Sequence, residues 1–219
     1  MKALALAGVP EGSWLRAERQ TGGRGRSGRA WASPPGNLYA STLVRLRRND
    51  PPSPTLALVA GVALFETTKP WVGQDLLLKW PNDLLVGPRK LGGILLERVE
   101  DAVVVGIGVN LAHHPDSVDR ASTSLAAQGR VVPAADAFLP DLARAFAMTL
   151  AVWRGQGLAA VRAAWLAAAH PIGATLTTHN SDGGSLTGAF DGLAPDGACR
   201  LRLADGSVRL IHAGDVFLV

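Results

Sequence analysis

One cysteine in 219 residues excludes an internal disulfide and any multi-cysteine metal site. No apolar run approaches the roughly 20 residues that cross a bilayer, so a membrane partner is not expected. The opening MKALALAGVPEGS does not read as a targeting segment. Its apolar stretch is cut short by Gly8 and Pro10 and runs straight into a strand pattern. Internal repeats and low-complexity tracts are also lacking, and a cytoplasmic protein is the default reading. Acids are scarcest where bases gather: between Arg16 and Arg48 there are eight arginines and one acid, Glu18. The net charge of +4 therefore has an address. Its partner could be a nucleic acid, a phosphorylated small molecule or an acidic protein. The rest, 47% hydrophobic and 18% charged, suits one good core with room for a small second domain.

The charged stretch centres on Glu18–Asn37, ERQTGGRGRSGRAWASPPGN. Five glycines and four arginines (Arg19, Arg24, Arg26, Arg29) share this segment, which makes it costly to order unaided. An anionic ligand would supply the missing interactions, so a phosphate- or carboxylate-binding loop is expected. The run Gly23-x-Gly25-x-x-Gly28 matches the dinucleotide fingerprint in letters only, since no helix opens after it and no βαβ frame surrounds it. It also lacks the Gly-Lys-Ser/Thr ending of a Walker A loop, so arginine side chains would have to grip the anion. The bland alternative is a solvated, flexible surface loop.

Taken in order, Met1–Ala7 read as the tail of a helix stopped by Gly8. Trp14–Glu18 and Asn37–Leu46 read as strands. Ser53-Pro54 opens a helix with apolar spacing from Leu56 to about Thr68. Short strands follow at Asp75–Trp80, Leu84–Val86, Lys90–Val99 and Val103–Leu111. Ala121–Arg130 is irregular, and helices are predicted over Pro133–Trp153, with Pro140 a candidate break, and Leu158–Ala169. After His170-Pro171 the texture changes to short strands. These are punctuated by Asp182-Gly183-Gly184, Asp196-Gly197 and Asp205-Gly206, hairpin signals of a small β-barrel.

Two further constellations stand out. Lys79-Trp80-Pro81-Asn82-Asp83 precedes Lys90-Leu91-Gly92-Gly93. A strand-end lysine can place a point charge on a phosphate or carboxylate, and in-strand glycines such as Gly93 admit a close ligand. The bland readings are an edge lysine for Lys90 and a self-stabilised turn for Asn82-Asp83. In Gly106-Ile-Gly108-Val-Asn110, paired glycines leave room for something flat and Asn110 offers a donor and an acceptor. His113 and His114 are adjacent, so they point apart and cannot readily share a metal. Cys199 reads as packing, and no metal-ligating set is nominated.

Together, QTGGRGRSGRAW, PPGNLY, LKWPNDLLV, KLGGILLE and VVVGIGVNL closely resemble the biotin protein ligase family from about Gly8 to the C-terminus. The resemblance implies an α+β fold: a mixed-sheet catalytic domain over residues 1–170, then an SH3-like β-barrel over 171–219. It implies a ligase that forms biotinyl-5′-AMP from biotin and MgATP and passes biotin to a lysine of a biotin carboxyl carrier domain of acetyl-CoA carboxylase. Carried across, Gln20, Gly23 and Arg24-Gly25-Arg26 would hold biotin and cover the adenylate. Lys90, beside Gly93, would contact the biotin carboxylate and α-phosphate, with Lys90 and Arg26 as the catalytic pair. Trp31, Asn37, Asn82 and Asn110 fall at nucleotide-side positions. A DNA-binding domain of the regulatory members is not expected. The family's upstream Ser-Thr-Asn motif would fall just before Met1, so a misassigned start, with a first strand and part of a helix missing, is expected. A lipoate ligase-like enzyme and a catalytically impaired biotin-binding relative are the alternatives. A nucleic-acid module is disfavoured by the few aromatics among the arginines and the lack of a recognisable motif. Homodimerisation through a sheet edge is left open.

Overall fold

The computed structural model of the chain describes residues 1–115, 121–179, 185–212 and 215–218. Its larger sheet has six strands: β1 (Trp14–Ala17), β2 (Leu38–Arg45), β3 (Leu76–Lys79), β4 (Asp83–Val86), β5 (Arg89–Val99) and β6 (Ala102–Val109). They lie in the order β1-β2-β6-β5-β4-β3, and all five ladders are antiparallel. Parallel pairing enters only as isolated bridges, Leu78–Ala169 and Lys90–Ser122.

Alternation gives this sheet two different faces. Leu38, Ala40 and Val44 of β2 and Val103, Val105, Ile107 and Val109 of β6 face the main core. Helices α2 (Leu56–Val72), α3 (Ala135–Gly155) and α4 (Leu158–Ala167) cover that side. Helix α2 is buried nearly all round because it lies between the sheet and the other two helices. Gly61 gives it close contact with α4, since a Cβ there would meet the Trp165 indole at 3.3 Å. Helix α3 buries the stripe Phe138, Leu142, Phe146, Leu150 and Trp153. It runs unbroken through Pro140: so near the helix start the proline forfeits one backbone bond without interrupting the stripe.

On the opposite face, the registers align three rungs: Tyr39–Gly108–Gly93, Ser41–Gly106–Leu95 and Leu43–Val104–Glu97. The last is roofed by the short helix α1 (Lys2–Leu6), whose Ala5 packs on Leu43, Ala102 and Val104. The first two carry glycine where a side chain would otherwise stand, and that half of the face stays open.

The C-terminal strands are β7 (Thr175–His179), β8 (Ser185–Leu193), β9 (Cys199–Arg202), β10 (Val208–Ile211) and β11 (Asp215–Leu218). They form a second antiparallel sheet in the order β10-β9-β8-β7-β11. The Asp196-Gly197 and Asp205-Gly206 signals are turns with glycine at φ +88° and +83°, each capped by its own aspartate. Asp182-Gly183-Gly184 lies outside the described residues. Cys199 is buried and unpaired, its thiol pushed up to about 12 by burial, which suits packing. The small sheet shares the main core through Leu176, Phe190, Leu193 and Leu201. Among the described residues a specific tie joins the halves: the Trp80 indole donates to the Gly197 carbonyl at 3.1 Å.

A dense ion-pair cluster closes the flank away from the glycine rungs. Arg154, near the end of α3, donates to Glu11 at 2.6 and 2.8 Å, to Asp50 at 3.2 Å and to the Arg45 carbonyl at 2.9 Å. The hydrogen bonds from Arg154 hold the Glu11 carboxyl below its usual range despite partial burial.

Candidate active site

The open half of the glycine face is the floor of a cavity of about 780 Å³. Its roof is the arginine–glycine segment, which has a framework of its own. Trp31 N–H donates to the Gly23 carbonyl at 2.9 Å and Gly25 N–H to the Arg29 carbonyl at 2.7 Å, closing a small hairpin over a 3₁₀ turn at Arg26–Gly28. Gly23 is required by sterics. A Cβ there would come within 2.7 Å of the Trp31 carbonyl, the Gln20 amide oxygen and the Ser33 hydroxyl. Ser33 in turn donates to Gln20 Oε1 at 2.9 Å, and Tyr39 Oη donates to the Pro34 carbonyl at 2.8 Å, fixing the segment's exit.

Trp31 lies across the Gly108–Gly93 rung. A Cβ at Gly108 would sit 2.9 Å from the indole, and one at Gly93 3.3 Å from it. The ring is thus the flat group for which the paired glycines leave room. Its Nε1 is buried without a hydrogen-bond partner, and the Lys90 ammonium stands 5.3 Å from the ring centroid, a cation–π contact.

Lys90 is held by Asp83, to which it donates a short hydrogen bond. Lys79 approaches the same carboxylate at 3.3 Å. The geometry follows from the hairpins: β3 pairs Lys79 opposite Asp83, and β4 turns into β5 beside it. Asp83 is only 5% exposed, so one buried carboxylate gathers two ammonium groups beneath a cationic roof. Two positive groups so close to an open cavity favour an anion.

Gln20, Gly23, Arg24, Gly25, Arg26, Trp31, Asn82, Lys90, Gly93 and Asn110, all expected at a ligand site, line this cavity. Asn82 also donates to the Ile94 carbonyl at 2.7 Å, and Asn110 to that of Thr123 at 3.0 Å. Asn37 is placed differently. It is 1% exposed, donates to the His113 carbonyl and accepts from the Ala112 and His113 amides, so its side chain pins the turn after β6. Asp83 is the residue that sequence reasoning passed over, having read it as turn chemistry. The available signal was an acid placed between two strand-end lysines. The His pair separates as expected, with His114 turned to the Ser124 hydroxyl at 3.2 Å.

A family model described as "Biotin/lipoate A/B protein ligase family" matches residues 2–111, and one described as "Biotin protein ligase C terminal domain" matches residues 176–219. A biotin–[acetyl-CoA-carboxylase] ligase of Paracoccus denitrificans is 38% identical over 99% of this chain and 95% of its own. Among solved structures, the biotin protein ligase of Aquifex aeolicus in complex with biotin and ATP superposes with a TM-score of 0.85 at 25% identity. That match covers 96% of this chain and 91% of that one. The Leishmania major biotin protein ligase in complex with biotinyl-5-AMP gives 0.61 at 26% identity, covering 96% and 93%.

Proposed function

From the premise that the chain belongs to the biotin protein ligase family, we propose that the glycine-floored cavity carries out both half-reactions of a biotin–[acetyl-CoA-carboxylase] ligase. The enzyme joins biotin to ATP as biotinyl-5′-AMP and then transfers the biotinyl group to protein. The observation that carries the assignment of the site is Lys90, held on buried Asp83 at the glycine floor beneath the arginine hairpin.

In the first step a carboxylate oxygen of biotin attacks the α-phosphorus, and the bond to pyrophosphate breaks. Two anions must approach each other, so the protein's contribution is positioning and charge stabilisation. Lys90 exchanges Asp83 for the carboxylate and α-phosphate oxygens, while Arg26 and Arg24 close over them from the roof. Asn82 and Asn110 face the nucleotide, and Trp31 covers it. Mg²⁺ would accompany the phosphates of ATP, as that ion commonly does, and would supply charge neutralisation there; among the described residues no group of three or more His, Cys, Asp or Glu could hold a metal. In the second step a lysine amine of the carrier domain attacks the acyl carbon, the bond to AMP breaks, and the amine proton leaves. Asp83 is the carboxylate placed to receive it. The described residues include no helix long and apolar enough to cross a membrane, and a cytoplasmic site of action fits these substrates. Residues 1–170 would form the catalytic domain and 171–219 the barrel.

The test is pyrophosphate release from MgATP, with biotin as the acid and lipoate as control. Release with biotin and not lipoate, followed by transfer to an isolated carrier domain, is expected. Equal release with lipoate, or none with either, would overturn the reading.

A further inference from the structure

Asp83 holds two ammonium groups where one counter-ion would neutralise it. They use different oxygens: Lys90 donates to Oδ1, and Lys79 approaches Oδ2 at 3.3 Å. The two lysines also differ in what they face. Lys90 and Asp83 line the cavity, whereas Lys79 does not. A Cβ at Gly93 would meet Nζ and Cε of Lys90 at 3.1 and 3.2 Å, so glycine at that position keeps clear the space the Lys90 ammonium uses beside Asp83. Lys79 is fixed more closely. It stands opposite Asp83 across the β3–β4 ladder, and its side chain is 15% exposed. The buried His170 imidazole nearby is kept neutral by burial and by the Lys79 charge, so it offers no negative charge to draw that ammonium from Asp83.

We propose that Lys79 is the resident counter-ion of Asp83, and that its task is to let Lys90 leave. This rests on the ligase reading above. When Lys90 turns to the biotin carboxylate and the α-phosphate, Oδ1 of Asp83 loses its cation. A buried carboxylate left alone is strongly unfavourable. Without Lys79, that penalty would hold Lys90 on Asp83 and add to the barrier for adenylation. With Lys79 on Oδ2, the carboxylate stays neutralised throughout, and Lys90 changes partners without stranding a charge. Lys79 touches neither the substrates nor the reacting atoms. It is a positioning residue that acts through Asp83 and Lys90.

The test is a double-mutant cycle read as biotin-dependent pyrophosphate release in the first turnover. Lys79→Met removes the charge and keeps an unbranched side chain. It should slow adenylation about a hundredfold, as for a buried carboxylate deprived of one partner. The biotin and ATP concentrations at half-maximal rate should each stay within about threefold of wild type. Adding Asp83→Asn to Lys79→Met removes the anion that detains Lys90 and should recover about tenfold or more of the loss. Asp83→Asn alone and the double variant should agree within about threefold, because Lys79 matters only while residue 83 is charged. That comparison serves if Lys79→Met alone does not fold. A wild-type rate in Lys79→Met would overturn the proposal. So would a double variant as slow as Lys79→Met, or a weakened response to ATP alone, which would put Lys79 on the nucleotide. Wild type without biotin-dependent release would instead refute the ligase reading itself.

Discussion

Acid sensitivity should be traceable to His170. This imidazole is 6% exposed, its Nε2 is buried without a partner, and burial, with the Lys79 charge nearby, lowers its pKa from 6.5 to about 4. Folded protein thus keeps His170 neutral across a range in which the unfolded chain takes up a proton. Because the unfolded state binds more protons there, stability is full above pH 6.5 and falls as the pH drops toward 4. At 1.36 kcal/mol per pKa unit, the loss attributable to this one residue is about 2 kcal/mol by pH 5 and approaches 3 kcal/mol near pH 4. The experiment is urea denaturation of wild type and His170→Leu at intervals from pH 7.5 to 4. Carboxylates held low by their partners, such as Glu11, begin to contribute as the pH falls through their unfolded value of 4.5, and do so equally in both proteins. The difference between the two curves isolates His170. The variant should lose about 2 kcal/mol less than wild type between pH 7 and 5. Parallel curves would refute the argument.

Three further outcomes follow from the same structure. Lys90→Ala should slow biotin adenylation by about two orders of magnitude or more in single-turnover kinetics, as for one lost charge stabiliser, and a near wild-type rate would remove Lys90 from its role. Gly108→Ala, whose Cβ would sit 2.9 Å from the Trp31 indole, should displace that ring and weaken biotin binding, as calorimetry would register. Arg154→Ala should cost about 2–3 kcal/mol in denaturant unfolding, because it leaves Glu11 and buried Asp50 without their shared cation.

What could be read in advance was whatever a short window of sequence encodes. The alternation of β2, the spacing of α2 and the aspartate–glycine turns after Asp196 and Asp205 are local signals, and they fall where expected. The arginine–glycine loop stood out because its composition is costly to order unless something binds there, whereas Lys90 by itself read as an edge lysine and was singled out through the family resemblance; both line the cavity. Long-range pairings were not. Glu11, Asp50 and Arg154 come from three distant segments, and nothing local says that Arg154 will meet two acids. Asn37 looked like a ligand-side amide because it stands beside the loop, yet two backbone amides 75 and 76 positions away claim its oxygen. Asp83 escaped notice for a related reason. A turn signal explains an aspartate well enough by itself, and only the folding of β4 between two lysine-bearing strands shows a second task.

The bond from Trp80 to Gly197 lets a remote turn act on the cavity. Its partners are 117 residues apart, so a turn of the C-terminal sheet pins the segment that carries Asn82 and Asp83. A change that loosens the Asp196–Gly197 turn would therefore be transmitted, through one indole, to the carboxylate on which Lys90 rests.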